Sequence, residues 1–133
     1  MEATFSKHAL AYDRYALVQL FKAIEEFRAI DPEMPSQSAA LFLYSAIYPG
    51  CTMTDLQTNL GMSQASCSRN VSALSEWHRL EKPGLGLIAA TPDPMERRRK
   101  VVHLTDKGKQ LAVSLTEAVM NPVRLSPFSK AIR

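Results

Sequence analysis

The stretch from Thr54 to Thr105 limits this chain most, because its helix signals and stop signals lie so close together. Thr54-Asp55-Leu56-Gln57 has the form of a capping box. The threonine oxygen can accept from the third helical amide while Gln57 reaches back to the cap. Gly61 then supplies a left-handed stop, and Ser63 opens the next helical run. The spacing predicts a short helix ending at Leu60, a tight turn, and a second helix from Gln64 to about Arg79. Leu56, Leu60 and Met62 are the residues expected to pack the two helices together.

The second helix divides cleanly by period. Cys67, Val71, Leu74 and His78 recur at helical steps and define an inward face. Gln64, Ala65, Ser66, Ser68, Arg69 and Ser72 fill the other early turns. Most of these side chains are short, so the backbone could lie close to a groove. Glutamine and serine can donate and accept at base edges, and arginine matches guanine. Ser63, at the helix N-terminus, suits a phosphate. Taken alone, the same face would also fit an ordinary solvated helix surface.

The segment after this helix favours groove contact over a solvated surface. Leu87–Thr91 and Val101–Leu104 read as two strands of a hairpin over residues 87–104. Pro92-Asp93-Pro94 starts its turn, and the tip is Glu96-Arg97-Arg98-Arg99-Lys100. Four consecutive cations repel one another unless anions attend them. Neutralising phosphates releases condensed counterions, the main source of affinity for duplex DNA, and an arginine on a hairpin tip fits a narrow minor groove. A helix-turn-helix succeeded by a basic β-hairpin is the outline of a winged DNA-binding module. Charge is distributed accordingly. Residues 1–60 carry four Lys/Arg against seven Asp/Glu, and residues 61–133 carry twelve against six.

The remaining segments read as support. Residues 7–29 form a helix with Ser6 as cap, and Leu17, Leu20, Phe21, Ile24 and Phe27 make an apolar stripe that Leu10, Tyr12 and Tyr15 extend. The stripe is broad enough for packing on its own domain and on a second chain. A helix from Ser36 to about Tyr48 carries Leu41, Leu43, Tyr44 and Ile47 and is expected to be central and buried. Cys51-Thr52-Met53 is an extended link suited to pairing with the wing as a third strand. Thr105 caps a last helix with Leu111, Leu115, Ala118 and Val119 on its apolar face, ended at Asn121-Pro122.

Several function classes receive no support. No apolar run approaches the ~20 residues needed to cross a bilayer, and the N-terminus lacks a secretory layout. The expectation is a soluble cytoplasmic protein with no membrane partner. Cys51 and Cys67 show no metal-ligand spacing, and His8, His78 and His103 are scattered, so neither a metal nor a cofactor is expected. No nucleophile–base pair, phosphate loop or acid cluster marks an enzyme; Asp13, Glu25 and Glu26 read as solvated helix charge. Cys67 reads as a small buried side chain rather than an oxidant sensor.

The order of elements resembles the MarR family of winged-helix transcription regulators. The most specific piece is Asp93 to Gly108, similar to that family's wing, return strand and Leu-Thr-x-x-Gly helix start; Met53–Ser63 resembles its helix-turn-helix. The likeness covers about residues 10–120. It implies a mainly α, α+β winged helix-turn-helix in a single domain spanning 1–133, with a DNA-binding core at 36–105 and dimerisation helices at 7–29 and 106–133. It further implies a homodimeric repressor on a palindromic operator, with recognition helices in successive major grooves. Carried over by position, Gln64, Ser66, Ser68 and Arg69 would read or brace the major groove, Ser63 a phosphate, and Arg98 the minor groove. Arg97, Arg99 and Lys100 would meet phosphates or ion-pair partners, and Glu96 would hold a neighbouring arginine. Some members of the family respond to small-molecule effectors; no residue here names one. The chain departs from the pattern at Asn70, where an apolar residue is usual, and in a longer, stiffer link through Trp77-His78-Arg79 and Lys82-Pro83-Gly84. The competing reading is a winged-helix protein-interaction module without DNA binding, using Trp77, Tyr12, Tyr15 and Phe128 as anchors.

Overall fold

The computed structural model describes residues 11–78 and 82–121. Among the described residues, five helices and two small antiparallel sheets follow in the order α1 (Arg14–Ile30), α2 (Ser36–Ile47), β1 (Cys51–Thr52), α3 (Met53–Leu60), α4 (Gln64–Leu74), β2 (Trp77–His78), β3 (Lys82–Pro83), β4 (Ile88–Pro92), β5 (Lys100–Leu104) and α5 (Asp106–Met120). The main sheet has the order β1-β5-β4, with Cys51 opposite Val102 and Ala90 opposite Val102 on the other side. The extended link at Cys51 is therefore the third strand that the sequence suggests. This is the α+β winged-helix fold.

The core lies where α2, α3, α4 and the sheet meet. Leu41, Phe42, Leu56, Cys67, Leu74, Leu87 and Val102 are fully buried there. Phe27 of α1 meets Phe42 edge-to-face, with centroids 5.9 Å apart, and Leu111, Leu115 and Ala118 bring α5 onto the same cluster.

Several boundaries differ from the sequence expectation. The first helix begins at Arg14, where Asp13 accepts from the amides of Tyr15 and Ala16 at 2.8 and 3.2 Å. Asp13 is thus a cap rather than idle surface charge; Ser6 and Leu10 lie outside the described residues. On α1, Val18, Ala23 and Phe27 face inward, while Leu17, Leu20, Phe21 and Ile24 are 44–57% exposed. On α2 the inward face is Ser38, Leu41, Phe42 and Ser45, and Leu43 and Ile47 are exposed rather than buried. Ser45 is accommodated because its hydroxyl donates to the Leu41 carbonyl at 2.9 Å.

The helix cap is Thr52, not Thr54. Thr52 Oγ1 accepts from the Asp55 amide at 3.0 Å, and the Asp55 carboxylate accepts from the Thr52 amide at 2.9 Å. Helix α4 stops at Leu74, short of Arg79. Backbone amides of Leu85, Leu87, Gly86 and Gly84 donate to the carbonyls of Ala73, Leu74, Ser75 and Glu76, at 2.7–3.0 Å. The returning chain thus satisfies the carbonyls that further helix would have used. Gly84 permits that approach: a Cβ there would lie 1.9 Å from the Ser75 carbonyl oxygen. His78 accordingly belongs to β2, paired with Lys82, and not to the helix's inward face.

Candidate nucleic-acid interface

Helix α3 ends at Gly61, whose φ of 63° and ψ of 37° are left-handed, and the Met62 amide bonds back to the Gln57 carbonyl at 3.0 Å. Two residues later Ser63 starts α4, its Oγ accepting from the Ser66 amide at 3.1 Å. That bond uses a lone pair and leaves the Ser63 hydroxyl proton to donate to an anion at the helix N-terminus.

Within α4, Cys67, Val71 and Leu74 are buried. Gln64, Ala65 and Arg69 are exposed on the opposite side, and Ser66, Ser68 and Ser72 are half-buried along the flanks. The flanks differ. Ser68 and Ser72 look across an open cleft of about 960 Å³ whose far wall includes Ala89, Ala90 and Lys100 of the hairpin. Ser66 turns the other way and donates to Gln37 of α2. Arg69 borders a second groove with Gln37, Asn70 and Lys82. Of the major-groove candidates, Gln64 and Arg69 stand outward, while Ser66 and Ser68 lie on the edges. Ala65 shares the outward face; its single methyl group gave no chemical signal in the sequence.

The hairpin tip is held by an aspartate. Asp93 Oδ2 accepts from Nε and Nη2 of Arg99 at 2.9 and 2.6 Å, and Oδ1 accepts from the Met95 amide at 2.9 Å. The Asp93 amide donates to the Arg99 carbonyl at 2.8 Å. The Met95 amide first, then Arg99, holds the Asp93 carboxyl below the usual carboxylate range. The arginine-holding carboxylate is therefore Asp93 rather than Glu96, which closes the turn with its backbone carbonyl, accepting from the Arg99 amide at 2.9 Å. The sequence carried a signal for the Met95 bond alone: an aspartate in a turn commonly accepts from the amide two residues on. Arg99 is thereby an ion-pair partner. Arg97 and Arg98 occupy the corner of that turn, exposed, and Lys100 opens β5 opposite Pro92.

The return strand is locked to α5. Thr105 Oγ1 accepts from the Gly108 amide at 3.0 Å and donates to the Gly86 carbonyl at 2.6 Å. Gly108 touches the start of β4 so closely that a Cβ would fall 2.0 Å from the Leu87 carbonyl oxygen. That contact gives the Leu-Thr-x-x-Gly pattern a steric cause. Burial pushes the Cys51 and Cys67 thiols up, the direction of unreactive thiols. Among the described residues no His/Cys/Asp/Glu group could hold a metal ion, and no helix is long and apolar enough to cross a membrane. The side chains of Trp77 and His78, the link residues Arg79–Glu81, and Phe128 lie outside the described residues.

No protein-family model matches the sequence, and no curated protein does. Solved structures do match. A transcriptional regulator from Thermotoga maritima aligns with TM-score 0.62 and 21% identity, over 79% of this chain and 66% of its own. The S. aureus MepR–DNA complex aligns with TM-score 0.61 and 21% identity, over 74% and 73%. A variant of E. coli MarR complexed with operator DNA aligns with TM-score 0.56 and 16% identity, over 78% and 69%. The chain spans just under two thirds of the Thermotoga protein. At these identities the likeness establishes the architecture: the chain has a MarR-like winged-helix fold.

Proposed function

We propose that this chain is a sequence-specific, DNA-binding transcriptional regulator of the MarR type, acting in the cytoplasm. It binds a palindromic operator as a homodimer and represses by occluding the promoter. The observation that carries this reading is the cleft whose two walls are α4, through Ser68 and Ser72, and the basic hairpin, through Lys100. A short-side-chained helix and the strands of the basic hairpin, with Lys100, thus flank one opening, an arrangement suited to two adjacent grooves of one duplex. The neighbours bound to DNA support the same assignment.

In this reading Gln64 and Arg69 meet base edges from the outward face of α4, Ser66 reaches a base edge from its flank, and Ser68 stands at the groove wall. Ser63 donates to a phosphate. Arg97 and Arg98 extend from the turn to the minor groove and its phosphates, Lys100 meets a phosphate nearer the helix, and Arg99 shapes the turn. The dimer uses α1 and the segment from Asp106 onward. The exposed row Leu17, Leu20, Phe21 and Ile24 on α1 is the surface a second copy would cover. The test is selection of bound duplexes from a random pool, then shift assays with Arg69→Ala and Arg98→Ala. Loss of Arg69 costs about 1–3 kcal/mol of base discrimination, and loss of Arg98 weakens binding and lowers the salt slope by about one. Failure to enrich any duplex at low salt, with capture of a protein partner instead, would favour the interaction-module reading.

A further inference from the structure

Asn70 is polar at a position where an apolar residue is expected, and the contacts around it fix the direction of the hydroxyl protons of Ser38 and Ser66. A helical carbonyl can only accept. The Ser66 carbonyl lies 2.8 Å from Asn70 Nδ2, so the donor end of that amide faces it. Asn70 Oδ1 then accepts from the hydroxyl of buried Ser38 at 2.6 Å. Asn70 Nδ2 also lies 3.3 Å from Gln37 Oε1, which places the oxygen of the Gln37 amide toward the cluster. That oxygen is 3.0 Å from Ser66 Oγ. Facing an acceptor, the Ser66 hydroxyl must donate. A hydroxyl has one proton, so what remains on Ser66 is lone-pair density, with Asn70 Nδ2 at a marginal 3.5 Å from it.

The consequence is chemical. In the major groove adenine and cytosine present amino-group donors, whereas guanine and thymine present acceptors at the equivalent position. An oxygen whose proton is already committed can pair with the first two and is repelled by the others. It is equally unsuited to a phosphate, which also only accepts. We infer that Gln37, on α2 and outside the recognition helix, is a specificity-determining residue: by taking the Ser66 proton it makes Ser66 select a base with a major-groove amino group, adenine or cytosine, at the position it meets. This rests on the regulator reading above.

The experiment is random-duplex selection with the full chain and with Ser66→Ala, Gln37→Ala and Gln37→Glu. The parent should enrich adenine or cytosine at one position in each half-site. Ser66→Ala should lower that preference about two- to tenfold, the range of one hydrogen bond. Gln37→Ala should free the hydroxyl to donate or accept, admitting guanine and thymine at that position and leaving the rest of the motif intact. Gln37→Glu keeps an acceptor on Ser66 and Asn70, so it should retain the preference while binding more weakly overall beside phosphate. A parent motif that Ser66→Ala leaves unchanged overturns the inference alone. So does a lost preference for guanine or thymine, or a Gln37→Ala motif identical to the parent's. A parent that enriches no duplex overturns the regulator reading and this inference with it.

Discussion

At the scale of single residues, the wing depends on one carboxylate. Asp93 receives three hydrogen bonds, and its pKa is lowered mainly by the Met95 amide and then by Arg99. A carboxyl with a depressed folded pKa contributes stability above its unfolded value of about 3.9 and loses that contribution as pH falls through the folded value. The turn is therefore expected to hold across neutral and mildly acid pH and to loosen only below the ordinary aspartate range. Asp93→Asn removes the charge at any pH. It also adds net positive charge, which by itself would strengthen binding to a polyanion. A severalfold drop in operator affinity, with the Arg99 Nε–H signal losing its protection in NMR spectra, would mark loss of the clamp; unchanged affinity would show that Arg97 and Arg98 need no fixed turn. The cysteines offer a second check at this scale. With Cys67 fully buried and its thiol pushed up by burial, alkylation at neutral pH should be far slower than for an unfolded control. Residue chemistry of this kind was partly legible in the sequence. The four cations at the tip announced themselves, but proximity chose Asp93 over Glu96 as the carboxylate that holds Arg99.

Elements end where something else satisfies them, and that decides how much of their extent a sequence can display. Both Thr52 and Thr54 begin capping-box patterns, with Asp55 and Gln57 respectively. Pairing of Thr52 with Val101 in the sheet holds Thr52 extended, the conformation a cap needs, and so selects it. The end of α4 is a sharper case. Ser75 to Arg79 contains no proline or glycine, so periodicity alone runs the helix on. It stops because amides from Gly84 to Leu87 occupy its last carbonyls, a tertiary event with no local signal except the glycine itself. Gly84→Ala should then cost about 1–3 kcal/mol or more in urea unfolding, since the backbone it would strike cannot rotate away. A neutral result would mean the link does not approach α4 so closely. Ser63→Ala removes the cap of α4 and should cost about 0.5–2 kcal/mol. By contrast the end of α3 at the Gly61 turn, the start of α4 at Gln64 and the start of the last helix at Asp106 were legible, because each of these boundaries is set by its own residues.

For the whole molecule, the open matter is which apolar surface belongs inside. Helix α1 carries apolar residues on two adjoining faces: Val18, Ala23 and Phe27 pack inward against the core and α5, and Leu17, Leu20, Phe21 and Ile24 face out. Periodicity reveals both faces and cannot rank them, which is why the stripe read from sequence proved to be mostly the outer one. Helix α5 repeats the arrangement, with Leu111, Leu115 and Ala118 inward and Val113, Val119 and Met120 exposed. The two helices are tied together, since the Gln19 side-chain amide donates to the carbonyls of Val119 and Asn121 at the end of α5. Two packed helices that each leave large apolar side chains exposed favour covering by a partner. If that partner is a second copy, a charged pair on the outer row alone should separate the copies without unfolding either. Leu20→Glu with Ile24→Lys replaces two exposed side chains and touches none of the buried ones, so thermal stability of the helices should change little. Sedimentation should show the parent's mass halving in the variant, and affinity for a full palindrome should fall toward that for an isolated half-site, because two linked contacts become one. A parent that already sediments as a monomer at every concentration would remove the dimer from the proposal, leaving a single winged helix on a single half-site.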